Sequence, residues 1–261
     1  MLSLRQRWNG RQPTLSSEGR QVTERHRRSQ LALRSVVGRQ LLSVWRTEFD
    51  IDNIAGSSIV FAQAAVPVLE DGKRRSAEMA AAYFSQFRQV DGPGLRRARP
   101  MADVDGRRVQ NALGYSAKIV PLKAIRNGST PAQAARAGLQ QSIGTASRLV
   151  ADGARETLTT AVDEDPQARG WQRVTGPNPC EFCAMLSARG GVYRTQGRAE
   201  FEAHSGRGSA CQCDAEPVYD ERWLSPDQQR FKDLYDREAK GTDDPLKAFR
   251  AAYRREIQPA A

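Results

Sequence analysis

The sequence predicts a mainly α fold: a long helical body, a small α+β cysteine-rich subdomain and a short helical C-terminal tail. Three observations carry this. Apolar residues recur at helical spacing through the first half of the chain and beyond. All four cysteines fall within Cys180–Cys213, and two proline-started helical stripes close the sequence.

Taken in order, residues 1–30 carry seven arginines, Arg5, Arg7, Arg11, Arg20, Arg25, Arg27 and Arg28, against two glutamates. With no apolar periodicity evident, this stretch reads as a mobile basic arm. Leu33, Val37, Leu41, Trp45 and Phe49 then recur every four residues, the spacing of one buried helix face. Met79, Tyr83, Phe87 and Val90 form a second stripe. Turn-rich breaks are expected at "DGK" (71–73) and "DGPG" (91–94), and "NALGYSAKIVPL" fits strand or helix equally well. At Thr130 the sequence "TPAQ" places a side-chain cap, a proline at the first helical position and Gln133 for a capping box. That helix keeps its period to "DEDPQARG".

From Gly170 to about Tyr219 glycine becomes frequent, and "GVYR" and "EPVYD" read as short strands. Ser225-Pro226 with Gln228 opens one terminal helix, and Asp244-Pro245 opens another. The expected organisation is therefore a basic arm over 1–30, a helical body over 31–168, a Cys/His-rich subdomain over 169–220 and a helical tail over 221–261. There is no internal repeat.

Of the 261 residues, 39% are hydrophobic and 27% charged, with a net charge of +10. Such a basic excess suits polyanions or an acidic protein surface. No run of eighteen apolar residues exists, and the N-terminus lacks the apolar centre of a secretory signal, so no membrane anchor is expected. Synthesis in a reducing cytoplasm follows, where clustered cysteines hold metal more often than they form disulfides.

In "CEFC" a two-residue gap lets Cys180 and Cys183 turn toward one point about 2.3 Å from each sulfur, as a zinc knuckle begins. Cys211, Cys213 and His204 supply three candidates for the two remaining tetrahedral positions. Cys180, Cys183 and His204 with one of the later pair would make a three-thiolate site, and the four cysteines an all-thiolate one. Alternate residues of an extended strand point opposite ways, which favours His204 plus one of the pair unless a turn intervenes. A segment with few large apolar residues benefits from such a cross-link, because metal binding free energy becomes folding free energy. Nothing here requires an open coordination position, so the expected Zn2+ is structural.

Other chemistries fit less well. A thioredoxin-like CxxC wants a strand before it and a helix directly after, within a βαβ unit, and here "GPNP" precedes Cys180. A cysteine nucleophile would need a histidine with an orienting partner, and nothing marks one. "RNGST" (126–130) and "EFE" (200–202) resemble elements of ADP-ribosyltransferases. The first is better read as a capping turn, and the second sits inside the cysteine segment. A Ser-His or paired-Asp protease arrangement is not evident. A non-enzyme is expected, and no small-molecule substrate.

"GWQRVTGPNPCEFCAMLSARGGVY", followed by "FEAH", "CQC" and "EPVY", resembles the MuF-like minor capsid (head morphogenesis) proteins of tailed phages, above all the actinobacteriophage type. The matching positions are Trp171, Arg173, Cys180, Cys183, Leu186, Arg189, Gly190, Tyr193, His204, Cys211 and Cys213. Between His204 and Cys211 six residues, "SGRGSA", replace the family's shorter spacing, so both ligand sets stay open. The resemblance implies a protein without catalysis, made in the host cytoplasm and carried in the virion inside the head. Its expected partners are the portal and capsid or scaffold proteins, and packaged DNA bound without sequence preference. The arginines of the basic arm are the candidates for touching DNA or portal, with "LRRARP" (95–100), Arg107 and Arg108 as a second cluster. The rival from another class is a zinc-containing nucleic-acid-binding regulator.

Overall fold

The structure is a computed structural model, and it describes residues 15–176, 179–189, 213–220 and 224–258. Four long helices make the body: α1 (Ser17–Glu48), α2 (Ile54–Asp91), α3 (Gly106–Arg126) and α4 (Pro131–Asp163). Each starts on a side-chain cap. Ser16 accepts from the Gly19 amide, Asn53 from Gly56, Asp105 from Arg107 and Thr130 from Gln133. The capping box expected at Thr130 is present in both directions, with Pro131 opening the helix. Helices α2 and α4 form the central contact, with α1 against both and α3 closing the other side.

The body's core joins Leu33, Val37, Leu41 and Trp45 of α1 to Phe61, Ala65 and Leu69 of α2. Val109, Leu113 and Ala117 of α3 and Ala146 and Val150 of α4 complete it. Burying side chains of this size contributes about 1.5–3 kcal/mol each. Two elements close the body off: β1 (Gly170–Val174) and β2 (Asp214–Val218), an antiparallel pair in which Gln172 faces Glu216. This ribbon lies on α4 and touches α2. A three-helix cap of α5 (Glu181–Ser187), α6 (Pro226–Glu238) and α7 (Pro245–Glu256) shares its own core of Met185, Leu186, Phe231, Leu234, Phe249 and Tyr253.

Three expectations need correction, and one open alternative is decided. The supposed arm does not reach residue 30: Ser17 to Gln30 belong to α1, whose Val22, His26 and Gln30 are buried, so the body begins at Ser17 rather than residue 31. The charged outer surface of an amphipathic helix looks, in sequence, like unstructured charge. "DGK" is no break but lies inside α2. A Cβ on Gly72 would stand 2.9 Å from Val150 and 3.0 Å from Val37, so the glycine is there to let α1 and α4 approach. "NALGYSAKIVPL" is helical throughout, and the ring of Pro121 fills the notch left by Gly138 of α4. Finally, the cysteine segment and the tail do not pack separately, since α5 shares one core with α6 and α7. "EPVYD" supplies part of β2, while "GVYR" lies outside the described residues. The break at "DGPG" is real: Gly92 caps α2 and Gly94 has φ 111°.

Candidate functional site: the cysteine locus

The ribbon and α5 bring the cysteines together. Cys180 is the N-cap residue of α5, Cys183 lies in its first turn, and Cys213 immediately precedes β2. Cys183 and Cys213 are buried, at 1% and 2% exposure, in one cluster with Trp171, Ala215, Tyr83, Phe84, Phe87 and Leu158, and Cys180 packs against it. No disulfide joins these three. His204 and Cys211 lie outside the described residues. A helix does follow Cys180 directly and a strand precedes it, but the ribbon is antiparallel, so the βαβ setting of a thioredoxin-like pair is not formed.

Cations line the locus from the inside. Arg173 is fully buried and donates from Nη1 to the Cys183 sulfur at 3.8 Å. Arg155 of α4, also buried, donates from Nε and Nη2 to the Cys213 carbonyl at 3.1 and 3.0 Å and from Nη1 to Asp152 at 3.2 Å. Arg34 of α1 stands 3.7 Å from Asp214, both about 5% exposed. From the cap, Tyr253 donates to the Pro179 carbonyl at 2.7 Å, and Arg250 pairs with Glu181 at 2.9 Å. These bonds fix the chain on either side of Cys180. Burial pushes the Tyr253 hydroxyl up to about 12, with Cys180, Cys183 and Glu181 adding to it.

Behind the cysteines runs a polar seam that the sequence did not announce. Gln172 donates to Glu216 at 2.7 Å, Thr23 to the other Glu216 oxygen at 2.6 Å, and Gln228 of α6 to the Arg173 carbonyl at 3.2 Å. The Tyr83 hydroxyl lies 2.9 Å from the Thr23 hydroxyl, and its ring stacks on His26 at 4.4 Å between centroids. Burial pushes Glu216 up to about 7 and lowers His26. The one signal available beforehand was a glutamate in mid-strand opposite a glutamine, and that becomes visible only once the register is known.

Of the arginines proposed for DNA or portal, Arg5, Arg7 and Arg11 lie outside the described residues. Arg20, Arg25 and Arg28 are exposed on α1, with Arg28 paired to Glu24 at 2.9 Å. Arg27 is partly buried and turned inward, donating to the Thr175 carbonyl at 3.0 Å. In "LRRARP", Arg96 donates to the Glu164 carbonyl at 2.7 Å, while Arg97 and Arg99 are exposed. Among the described arginines of these two clusters, Arg27 reaches the segment that leads to Cys180, through the Thr175 carbonyl.

The structure thus defines a four-helix body that carries a cysteine-bearing ribbon and a small helical cap. The family model described as VG15 protein matches residues 18–238, and the chain belongs to this phage protein family. No curated protein and no solved structure matches it. No helix among the described residues is long and apolar enough to cross a membrane.

Proposed function

We propose that this phage protein is a minor capsid, head morphogenesis protein of MuF-like type. It acts without catalysis inside the head near the portal during procapsid assembly, with portal and capsid or scaffold proteins as its partners. The observation that carries the reading is the gathering of Cys180, Cys183 and Cys213 about Trp171, in a chain whose family is a phage family. Four positions of the pattern behind the MuF-like resemblance, Trp171, Cys180, Cys183 and Cys213, share or adjoin one core cluster, and this supports the reading.

The residues at that locus suit a structural Zn2+. Among the described residues no three metal-ligating side chains are already grouped, so the set would be completed from His204 and Cys211. Thiolates need counter-charge in an interior, and the buried Arg173 and Arg155 stand beside Cys183 and the Cys213 backbone. Cys180 and Cys183, with two of His204, Cys211 and Cys213, would hold the ion. Bound there, zinc would tie the start of α5 to the chain leading into β2. The protein itself fixes the approach: Tyr253 holds Pro179, Glu181 is held by Arg250, and Arg155 holds Cys213.

The test is to isolate procapsids and mature heads from infected cells, probe them for this chain, and measure zinc in the purified protein. Presence in procapsids, with co-purification of the portal and about one zinc per chain, is the expected result. Absence of the chain from both particles would refute the assembly role.

A further inference from the structure

From Gly106 to Ala151 the sequence contains no aspartate or glutamate, although the whole chain has 30 acidic residues. The stretch holds five basic residues on α3 and two, Arg136 and Arg148, on α4. Arg107, Lys118, Lys123, Arg126 and Arg136 are exposed, and among the described residues none has an ion-pair partner. Elsewhere acidic residues are interspersed, and several exposed cations are paired: Arg74 with Asp71 and Glu78, Lys232 with Asp236, Arg255 with Glu238 and Glu256, although Arg25, Arg39 and Arg46 of α1 are not paired among the described residues. Arg108 is set apart, because it faces Asp152 across the neighbouring cleft.

Three of the charges, Arg107, Lys118 and Arg126, share a side of α3. Val109, Leu113, Ala117 and Pro121 face the bundle, so at roughly 100° per residue Arg107, Tyr115, Lys118 and Arg126 fall on the opposite side. Arg107 and Arg126 stand roughly 28 Å apart along the axis, at about 1.5 Å per residue. Gly138 packs on Pro121, and in the antiparallel hairpin this puts Arg136 level with Lys123. Tyr115, at 61% exposure, lies in the middle.

The core of a protein interface is depleted of charge and built on apolar anchors that seat in pockets. Although Tyr115 and Ile125 are exposed here, this face is dominated by solvated cations spread along a helix length, which is how phosphates are neutralised by counter-ion release. We infer that the α3–α4 hairpin is a sequence-independent binding face for the phosphate backbone of duplex DNA. The inference rests on the head-assembly reading only for the choice of packaged duplex as the polyanion. The surface itself is distinct from the N-terminal arginines.

The test uses the full chain and a fluorescent random-sequence duplex, titrated at several salt concentrations. The triple variant Arg107→Gln, Lys118→Gln, Arg126→Gln is compared with Arg20→Gln, Arg25→Gln, Arg28→Gln on α1. The α3 variant should bind at least tenfold more weakly. The slope of log affinity against log salt should fall by about 2.7, at about 0.9 for each phosphate no longer neutralised. The lysine version, Arg107→Lys with Arg126→Lys, should bind as wild type, and unchanged circular dichroism checks the fold. Unchanged affinity and slope in the α3 variant would overturn the inference, as would a loss confined to the α1 variant. Tighter binding of polyglutamate than of DNA would also overturn it, assigning the face to an acidic protein. Heads that contain a protein indifferent to DNA would leave the assembly reading standing and remove only this one.

Discussion

Arg155 of α4 donates two hydrogen bonds, 3.1 and 3.0 Å long, to the carbonyl of Cys213. A buried guanidinium of the helical body thereby holds the last described cysteine at the mouth of β2. Arg155→Leu should remove both bonds to the carbonyl and leave Asp152 with only the charges of Arg108 and Arg148. A buried charged hydrogen bond of this kind contributes about 1.5–3 kcal/mol, so urea unfolding should show a loss of roughly 3 kcal/mol. A loss below about 0.5 kcal/mol would show that the contact is incidental.

A second buried pair ties α2 to the chain after α4. Arg88 donates to Asp165 at 2.6 Å and to Gln167 at 2.7 Å, and Tyr219 donates to Asp165 at 3.1 Å. Burial pushes the Asp165 carboxyl up, but the bonds from Arg88, the Gln167 amide and Tyr219 outweigh it, and its pKa lies below the usual value. A depressed folded pKa gives stability that is present above the unfolded value, about 3.9, and lost as pH falls through the folded one. Asp165→Asn should cost about 3–5 kcal/mol at pH 7, because Arg88 stays buried without its charge partner. The double change Arg88→Met, Asp165→Leu should recover most of that. Thermal melts of the three variants decide it.

The parts of the fold that were legible are those whose causes are local. Thr130 with Gln133, and Ser225 with Gln228, declare helix starts within four residues, and both capping boxes form. The spacing of the cysteines marked the segment, and Cys183 and Cys213 do share one core with Cys180 packed against it, but the supports around them were not legible. Arg155 and Arg173 look like surface arginines until α4 and β1 are seen to bury them. Gly72 reads as a turn because a glycine's role in a helix crossing depends on Val37 and Val150, far away in sequence. The expectation of a core-poor segment failed for the same reason: Trp171 and Ala215 pack on Tyr83, Phe84 and Leu158 of the body.

Close helix approach one turn along α4 at the same contact gives a sharper prediction. A Cβ on Gly153 would stand 2.5 Å from the Lys73 carbonyl oxygen, a backbone atom that cannot rotate away. Gly153→Ala should therefore destabilise the protein by about 1–3 kcal/mol despite alanine's better helix propensity. Denaturant midpoints measure the effect, and a stabilised variant would contradict the packing of α2 on α4.

Glu216 should give the protein a pH-dependent stability near neutrality. Burial pushes it from 4.5 up to about 7, Asp91 adds to the rise, and bonds from Thr23, Gln172 and Tyr83 oppose it. Between those values the folded state holds a proton that the unfolded chain has released. Stability therefore falls as pH rises from about 4.5 and levels off above about 7, by roughly 3 kcal/mol at most. Glu216→Gln keeps an acceptor for Gln172 and should flatten that slope while raising stability at pH 8. Urea unfolding of both proteins from pH 5 to 8 checks it, and parallel profiles would refute the assignment.

Removal of metal tests how far the cysteine locus depends on its proposed ion. Because Cys183 and Cys213 share a core with α2 and α4, chelation should not melt the ribbon. Gln172, Glu216, Arg155 and Tyr253 would still hold β1, β2 and the start of α5 in place. The expected result after chelation is faster amide exchange in peptides spanning 180–213, with little change in α1–α4. Cys180→Ser with Cys183→Ser should reproduce that pattern and lower the zinc content toward zero. A double variant that retains full zinc would show that Cys180 and Cys183 are not ligands. Exchange rates unmoved by chelation would show that the fold owes nothing to metal there.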